Sequence, residues 1–501
     1  MVGMVTTGDT LTTPGPATRT AFARLPVFLV AGVTGALLLI ASRNYGYFFD
    51  EAYFVVAGRD HLALGYFDQP PLVPFLAGTM DHLFPGSLLA LRLPATLAAV
   101  GAIVLTALIA RELGGRRFAQ TAAALAYALA GTTTAGHYLA TYTVDPVFWA
   151  LIIFLLVRWT RERRDGAAND WLLFWAGVVT AFSLETKFLV AALWIAVAVS
   201  SLAFGPRELV RRPLLWLGAL VSVVATLPTL WWQAGNDWPY LKMSDVVAKE
   251  FPGAGQFLWD ALSGAGWFLG APLALFGLAR LLGVRSQAHW RYLGVVVIGL
   301  VIAFLIGSGR AYYVYALYAL PLAAGAVGLQ EIRWPVALKW AGGALAAVSI
   351  AKSLIAIPIY PASVAGKLPE SLPLVPATAA AVLKGDTSLD QVSQVMGELY
   401  QSLPPEQRAH TAIMTDSYVF AASIDLRHEE RGLPRAYSGH RAYYYFGHPP
   451  ESADSVLYFG SENPKMATAF AGREPIAPGF ATLYTGRLKP WDQTWPKLRI
   501  Q

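Results

Sequence analysis

The chain has 501 residues, of which 55% are hydrophobic and 14% are charged, and its formal net charge is +6. Soluble domains carry roughly 25% charged residues, so this composition excludes an ordinary soluble protein and predicts a polytopic membrane protein. The absence of cysteine excludes disulfides and thiolate metal sites. We assign the basic excess to loops on one side of the membrane, and we expect no nucleic-acid partner.

The N-terminal part of the chain combines a polar tail with a first apolar run. Residues 1–24 are rich in Thr, Gly and Pro, and we interpret them as a disordered cytoplasmic tail. The run at 25–42 is too long for a typical signal-peptide core, so it is predicted to be a retained transmembrane helix. Cleavage after Ala41 or Ser42 is the alternative.

A transmembrane domain is predicted over residues 25–358. Its apolar runs of spanning length predict about eleven helices. These runs lie near 25–42, 93–110, 119–136, 146–158, 171–185, 188–204, 213–232, 263–281, 292–308, 312–329 and 337–358.

The loops between these runs alternate in charge. One set is rich in arginine and belongs in the cytoplasm by the positive-inside rule. The other set is predicted to face outward, and it collects the unusual polar groups of the chain. The outward loops are 43–92, 137–145, 185–187, 233–262 and 309–310.

Residues 359–501 have ordinary charge and no spanning run. Short apolar segments at 411–415, 455–459 and 481–485 predict buried strands. With an odd number of spans and a cytoplasmic N-terminus, this part is predicted to be a small extracytoplasmic α/β domain.

The first outer loop, 43–92, carries the adjacent carboxylates Asp50 and Glu51. Two like charges beside an apolar run repel each other and stay hydrated, which favours a site that handles a cation or a proton. Two short amphipathic segments, 51–64 and 72–84, are predicted to be interfacial helices. Between them, Asp68 precedes Gln69 and a double proline that stiffens the turn. The alternative for Asp68 is a simple helix cap.

The other outward loops supply further candidates. Asp145 precedes Pro146, where it either caps a helix or serves a site. Lys187 either neutralises a phosphate or extends to the membrane surface. Arg310 follows a Gly-Ser-Gly run that permits close approach of a ligand, and phosphate binding is favoured. His137 is a weaker candidate, since a lone interfacial histidine is more often a hydrogen-bonded structural residue.

No Gly-rich phosphate loop, His/Cys metal spacing or hydrolase nucleophile elbow occurs in the sequence. A nucleotide-dependent enzyme is therefore not expected. Chemistry on the outer face requires a donor already carried across the membrane, and a lipid-linked phosphate is the natural kind.

These motifs resemble the C-type integral-membrane glycosyltransferases, specifically family 39 and the aminoarabinose-transferase-like group, which use polyprenyl-phosphate sugars. The resemblance implies that fold, with interfacial helices and an outward α/β domain. The matching segments are FFDEAYFVVAGRDHLALGYFDQPPLVPFLA (48–77), YLATYTVDPVFW (138–149), SLETKFLV (183–190), PTLWWQAGNDWPYL (228–241) and GSGRAYYVYALYALPLAAG (307–325).

The resemblance also implies roles. Asp50 corresponds to a catalytic base that deprotonates the acceptor, and Glu51 supports it or helps hold a divalent cation. The implied donor-phosphate groups are Lys187, Arg310 and Tyr313. The implied acceptor-proximal or metal-proximal groups are Asp68, Asp145 and His137. A divalent metal ion held by Asp50 and Asp68 is left open.

One departure from the resemblance concerns Gln69, where the aminoarabinose enzymes carry Lys. That difference weakens any assignment of their substrate to this chain. The stretch at 431–440 also resembles the outward domain of the group, where acceptor contact or lid formation is expected.

The expected activity is inverting transfer of a hexose or pentose from a polyprenyl-phosphate sugar to an acceptor hydroxyl, at the outer face of the plasma membrane. The acceptor is a cell-envelope protein, lipid or glycan, and membrane lipids surround the protein. The alternatives are a lipid-linked sugar flippase or transporter and a non-catalytic scaffold. The sugar and the acceptor stay open.

Overall fold

The computed structural model describes residues 20–360, 377–461 and 463–500, and most of these residues are helical. Residues 1–19 of the predicted tail lie outside the described residues. The same holds for 361–376, at the start of the predicted C-terminal domain. The described chain enters its first helix at Arg24.

The first described range is built from helices of very different lengths. They are α1 (Arg24–Ala41), α2 (Phe49–Asp60), α3 (Leu72–Leu83), α4 (Leu88–Glu112), α5 (Arg117–Ala128), α6 (Gly131–Thr134), α7 (Thr141–Arg164), α8 (Trp171–Leu184), α9 (Val190–Phe204), α10 (Pro213–Gly235), α11 (Met243–Lys249), α12 (Ala254–Gly264), α13 (Gly270–Gly283), α14 (Arg291–Ile306), α15 (Ala319–Glu331) and α16 (Val336–Ala356). Short 3-10 helices lie at Ala135–His137, Arg207–Arg211, Pro239–Lys242, Arg285–Trp290 and Ala311–Leu317.

Each predicted apolar run coincides with helical structure, and the polytopic helical fold is confirmed. The predicted number of about eleven spans is not confirmed. Among the described residues, 6 helices are long and apolar enough to cross a membrane, or 7 if the bent pair Ala311–Leu317 and Ala319–Glu331 is one span. Helices α8, α9 and α13 are apolar but shorter. A full crossing needs about 20 helical residues, which hydropathy alone does not guarantee.

The two helices predicted for the first outer loop are present as α2 and α3. They cross where Gly58 meets Gly78, so closely that a Cβ built on Gly78 would lie 2.3 Å from the Gly58 carbonyl carbon. Helix α2 is continuously buried from Glu51 to Ala57. The C-terminal domain covers its other side.

The C-terminal region combines helices with one five-stranded sheet. The helices are α17 (Ala377–Ser402), α18 (Pro405–Ala409), α19 (Tyr418–Leu426), α20 (Pro464–Ala469) and α21 (Trp491–Thr494), with 3-10 helices at Arg441–Phe446 and Trp495–Leu498. The strands are β1 (Thr411–Thr415), β2 (Ala436–Ser438), β3 (Ser455–Phe459), β4 (Phe470–Ala477) and β5 (Ala481–Arg487).

The sheet has the order β2-β1-β3-β5-β4, with β2, β1 and β3 parallel and β3, β5 and β4 antiparallel. Strands β1, β3 and β5 were predicted. Strand β2 has only 3 residues, and β4 is a largely exposed edge strand with a proline and an irregularity near Pro475. Neither strand has the buried pattern that marks a strand in a sequence.

The sheet region packs on the 43–92 segment through one apolar cluster. Tyr53 and Phe54 of α2 share this cluster with Tyr418 of α19 and Ile413 of β1. This packing fixes the start of α2, and with it Asp50, against the C-terminal domain.

Candidate functional site

An open cleft lies where the start of α2, the turn before α3 and the C-terminal domain meet. All of the loops predicted to share one face contribute to its lining, through Asp50, Tyr142, Lys187, Tyr240 and Arg310. The C-terminal domain adds Tyr418 and Arg441. Of the predicted site residues, the cleft brings together Asp50, Asp68, Lys187, Arg310 and Tyr313, whereas Glu51, Asp145 and His137 are not part of its lining.

Asp50 lies in the first turn of α2, where free backbone N–H groups favour a carboxylate. Its Oδ1 accepts a hydrogen bond from the Tyr418 hydroxyl at 2.7 Å. Burial raises the pKa of Asp50, while the Tyr418 hydrogen bond and the charges of Arg441 and Arg310 act in the opposite direction. Asp50 is thus a half-buried carboxylate that one phenol orients.

Asp68 lies in the turn between α2 and α3 and also faces the cleft. Its Oδ1 accepts a hydrogen bond from the Tyr53 hydroxyl at 3.0 Å. Burial raises the pKa of Asp68, Arg441 lowers it, and the Asp50 carboxylate raises it further. The rings of Tyr53 and Tyr418 meet edge to face at 5.1 Å, so the two carboxylates share one aromatic support.

Three cations line the same cleft. Lys187 Nζ lies 4.7 Å and 4.2 Å from the ring centroids of Tyr312 and Tyr313. Arg310 donates to the Tyr312 hydroxyl at 2.9 Å. Arg441 stands 5.1 Å from the Tyr418 ring centroid. The lining of the cleft therefore carries both carboxylates and cations, and the three cations together are called the cationic wall below.

Asp145 lies behind Lys187. Its carboxylate accepts a hydrogen bond from Ser183. Burial lowers the pKa of Lys187 to about 7, and the neighbouring Asp145 carboxylate acts in the opposite direction. Asp145 does not line the cleft, and it acts on the cleft through its electrostatic interaction with Lys187.

Glu51 points away from the cleft, into the protein core. It accepts hydrogen bonds from the guanidinium of Arg92, at 2.8 Å and 2.9 Å, and the side chains of both residues are fully buried. The backbone N–H groups of Phe48 and Leu139 donate to it as well, each at 2.8 Å. His137 is also buried, and its Nδ1 lies 2.7 Å from the Thr134 carbonyl oxygen.

Two buried donors at the cleft have no acceptor in the part of the chain that the structure describes. They are Gln69 Nε2 and Arg441 Nε. Buried N–H donors are almost always satisfied, so these two are available to a ligand oxygen or to water at the cleft. Arg441 also holds the left-handed conformation, with φ at 48°, which is unusual for a residue with a Cβ.

The described residues contain no group of three or more His, Asp or Glu side chains placed to hold a metal ion. Asp50 and Asp68 are two carboxylates in the lining of one cleft, which is fewer protein ligands than a dedicated metal site usually offers.

Sequence reasoning missed Tyr418 and Arg441. Arg441 directly follows the 431–440 segment that was singled out, so its neighbourhood carried a signal. Tyr418 opens the short helix α19, and nothing in its sequence context distinguishes it from a core aromatic residue.

Residues 68–232 match the family model described as dolichyl-phosphate-mannose-protein mannosyltransferase. The crystal structure of ArnT from Cupriavidus metallidurans in the apo state superposes with a TM-score of 0.61 at 15% identity, covering 91% of this chain and 97% of that chain. The structure of the same protein bound to undecaprenyl phosphate gives a TM-score of 0.55 at 14% identity, with coverage of 91% and 97%. No curated protein sequence matches the chain.

Proposed function

The chain resembles the C-type integral-membrane glycosyltransferases in overall fold and, over residues 68–232, in sequence, and from this premise we propose that it transfers a sugar from a polyprenyl-phosphate donor to an acceptor hydroxyl. The observation that carries the proposal is that a half-buried carboxylate, Asp50, and three cations line one cleft. A glycosyl transfer of this kind requires a base for the acceptor hydroxyl and cationic groups that bind the donor phosphate. The cleft contains groups suited to both roles.

The cationic wall is suited to the donor phosphate. Lys187, Arg310 and Arg441 supply positive charge, and guanidinium groups match phosphate oxygens in geometry. The unsatisfied N–H groups of Gln69 and Arg441 supply further donors. Tyr313 contributes through its contact with Lys187. Asp145 acts as a positioning residue that holds the charge of Lys187.

Asp50 is the proposed base. It accepts the proton of the acceptor hydroxyl while the acceptor oxygen bonds to the anomeric carbon. The bond between that carbon and the phosphate oxygen breaks, and the polyprenyl phosphate leaves with the electron pair. A single displacement of this kind inverts the anomeric configuration. The raised pKa of Asp50 makes it a stronger base than an exposed aspartate.

Asp68 is proposed to face the donor phosphate. A divalent cation at the cleft would take its protein oxygens from Asp50 and Asp68 and would supply positive charge to the phosphate. Glu51 is proposed to position Asp50 by fixing the start of α2, and His137 to lie in the surrounding core.

We further propose that the cleft and the C-terminal domain, 359–501, face outward from the plasma membrane, with the transmembrane domain at 25–358. The loops that meet at the cleft are the set without the arginine-rich character of cytoplasmic loops. The acceptor is then a protein, lipid or glycan of the cell envelope.

The test is lipid and glycan profiling of a strain that lacks the protein. We expect a polyprenyl-phosphate sugar to accumulate and one envelope glycan to disappear, and we expect the wild-type chain, but not Asp50→Asn, to restore the glycan. Unchanged glycans would contradict the proposal. If the protein in liposomes moves a lipid-linked sugar across the bilayer and forms no glycosidic product, the flippase alternative is favoured.

A further inference from the structure

Glu250 bridges two arginines that line the cleft. It follows α11 directly, and its carboxylate accepts from Arg310 Nε at 3.1 Å and forms a second, closer contact with Arg310 Nη2. The same carboxylate lies 3.5 Å from Arg441 Nη2. One anion thus compensates two cations that come from distant parts of the chain.

This contact differs from the structural ion pair of Glu51. The Glu51 and Arg92 side chains are fully buried, whereas 46% of the Glu250 side chain is exposed. Exposed pairs contribute little stability, so moving Glu250 into water costs little. Gly253, three residues further on, has φ at +93°, a conformation that glycine adopts freely.

Among the described residues, Glu250 is the carboxylate that both guanidinium groups contact directly, while Asp50 interacts with them through charge at longer range. Arg310 donates to the Tyr312 hydroxyl, and Arg441 donates to the Tyr418 hydroxyl at 3.4 Å. Both of these partners are neutral. Carboxylates and phosphates are alternative acceptors for the same guanidinium geometry.

We propose that Glu250 occupies the anion position of the cationic wall in the ligand-free protein and that the phosphate of the polyprenyl donor displaces it; this inference rests on the proposed function. Glu250 is then a built-in competitor of the phosphate. Competition matters most after transfer, because the departing phosphate monoester carries more negative charge than the donor diester. Return of Glu250 to the arginines promotes its release.

The test measures binding of sugar-free polyprenyl phosphate to the full-length protein in detergent. We expect Glu250→Gln to lower the Kd about 3- to 10-fold, since it removes a competing charge and keeps the side-chain shape. Asp245→Asn, the same kind of change at an exposed position on α11, is the matched control and should leave the Kd unchanged. In an Arg310→Gln background, the gain from Glu250→Gln should shrink, which a general effect on folding would not produce.

Two outcomes overturn the inference in distinguishable ways. If the wild type binds polyprenyl phosphate and Glu250→Gln binds it equally or more weakly, Glu250 does not compete, and the proposed function stands. If the wild type does not bind polyprenyl phosphate at all, the proposed function fails, and the inference fails with it.

Discussion

At the scale of single residues, the adjacent carboxylates Asp50 and Glu51 have separate surroundings. Neighbouring positions on a helix point about 100° apart, so one side chain reaches the cleft while the other enters the core. The sequence predicted that the pair marks a site. It could not assign the two surroundings, because Arg92 and Tyr418, which define them, lie 41 and 368 residues away.

Glu51→Gln should destabilise the protein, although it changes none of the side chains that line the cleft. The substitution leaves the fully buried Arg92 without a counter-charge, and breaking such a pair costs about 3–5 kcal/mol. Thermal unfolding in detergent measures the loss, with Glu429→Gln, at an exposed position, as the control. An unfolding temperature equal to that of the control would contradict a structural role for Glu51.

Tyr418→Phe should move the acidic limb of the pH–rate profile to higher pH. The Tyr418 hydroxyl lowers the pKa of Asp50, so its removal raises that pKa further above the ordinary value. Because a base must be ionised to act, activity appears as pH rises through the pKa of Asp50, and this rise then occurs at higher pH. The measurement is kcat/KM against pH, with the half-buried Tyr437→Phe as control. An unshifted limb would argue against Asp50 as the base.

At the scale of elements, hydropathy predicted where the helices lie, because burial in lipid or protein requires apolar runs. It could not count the spans, since α8, α9 and α13 are apolar without full spanning length. It predicted α2 as an interfacial helix but did not predict that the helix packs between α3 and the C-terminal domain. The enclosing partner is remote in sequence, so the local pattern carries no sign of it.

Gly78→Ala should separate α2 from α3 and reduce activity. A Cβ at this position meets the Gly58 backbone, which cannot give way as a flexible side chain does, and overpacking of this kind costs about 1–3 kcal/mol. The shift would move Asp50 relative to Asp68. Transfer rate and thermal stability should both fall, while Gly342→Ala on α16, where a Cβ meets nothing within 4 Å, should change neither. Wild-type activity in Gly78→Ala would show that the crossing does not position the site.

At the scale of the whole molecule, the cleft forms between the helical domain and the C-terminal domain. Charge alternation predicted which loops share a face, and the meeting of those loops at one cleft agrees with it. The contribution of Tyr418 and Arg441 could not be predicted, because nothing local relates the sheet region to α2. The orientation of this assembly in the membrane remains a prediction of the charge pattern.

The orientation can be tested by cysteine labelling, because the chain has no native cysteine. Lys489→Cys, on the exposed surface of the C-terminal domain, should react with a membrane-impermeant maleimide in intact cells. Arg207→Cys, in an arginine-rich loop, should react only after the cells are opened. The reverse pattern would place the cleft in the cytoplasm and contradict the proposed location.

The central claim is that Asp50 acts as the base at a phosphate-binding cleft, and Asp50→Asn tests it most directly. In membranes that contain the polyprenyl-phosphate sugar and the acceptor, the variant should transfer sugar at least about 100-fold more slowly than the wild type. It should still bind polyprenyl phosphate as well as the wild type, since the cationic wall is intact and a nearby negative charge is removed. Transfer at the wild-type rate by a variant that binds normally would contradict the account.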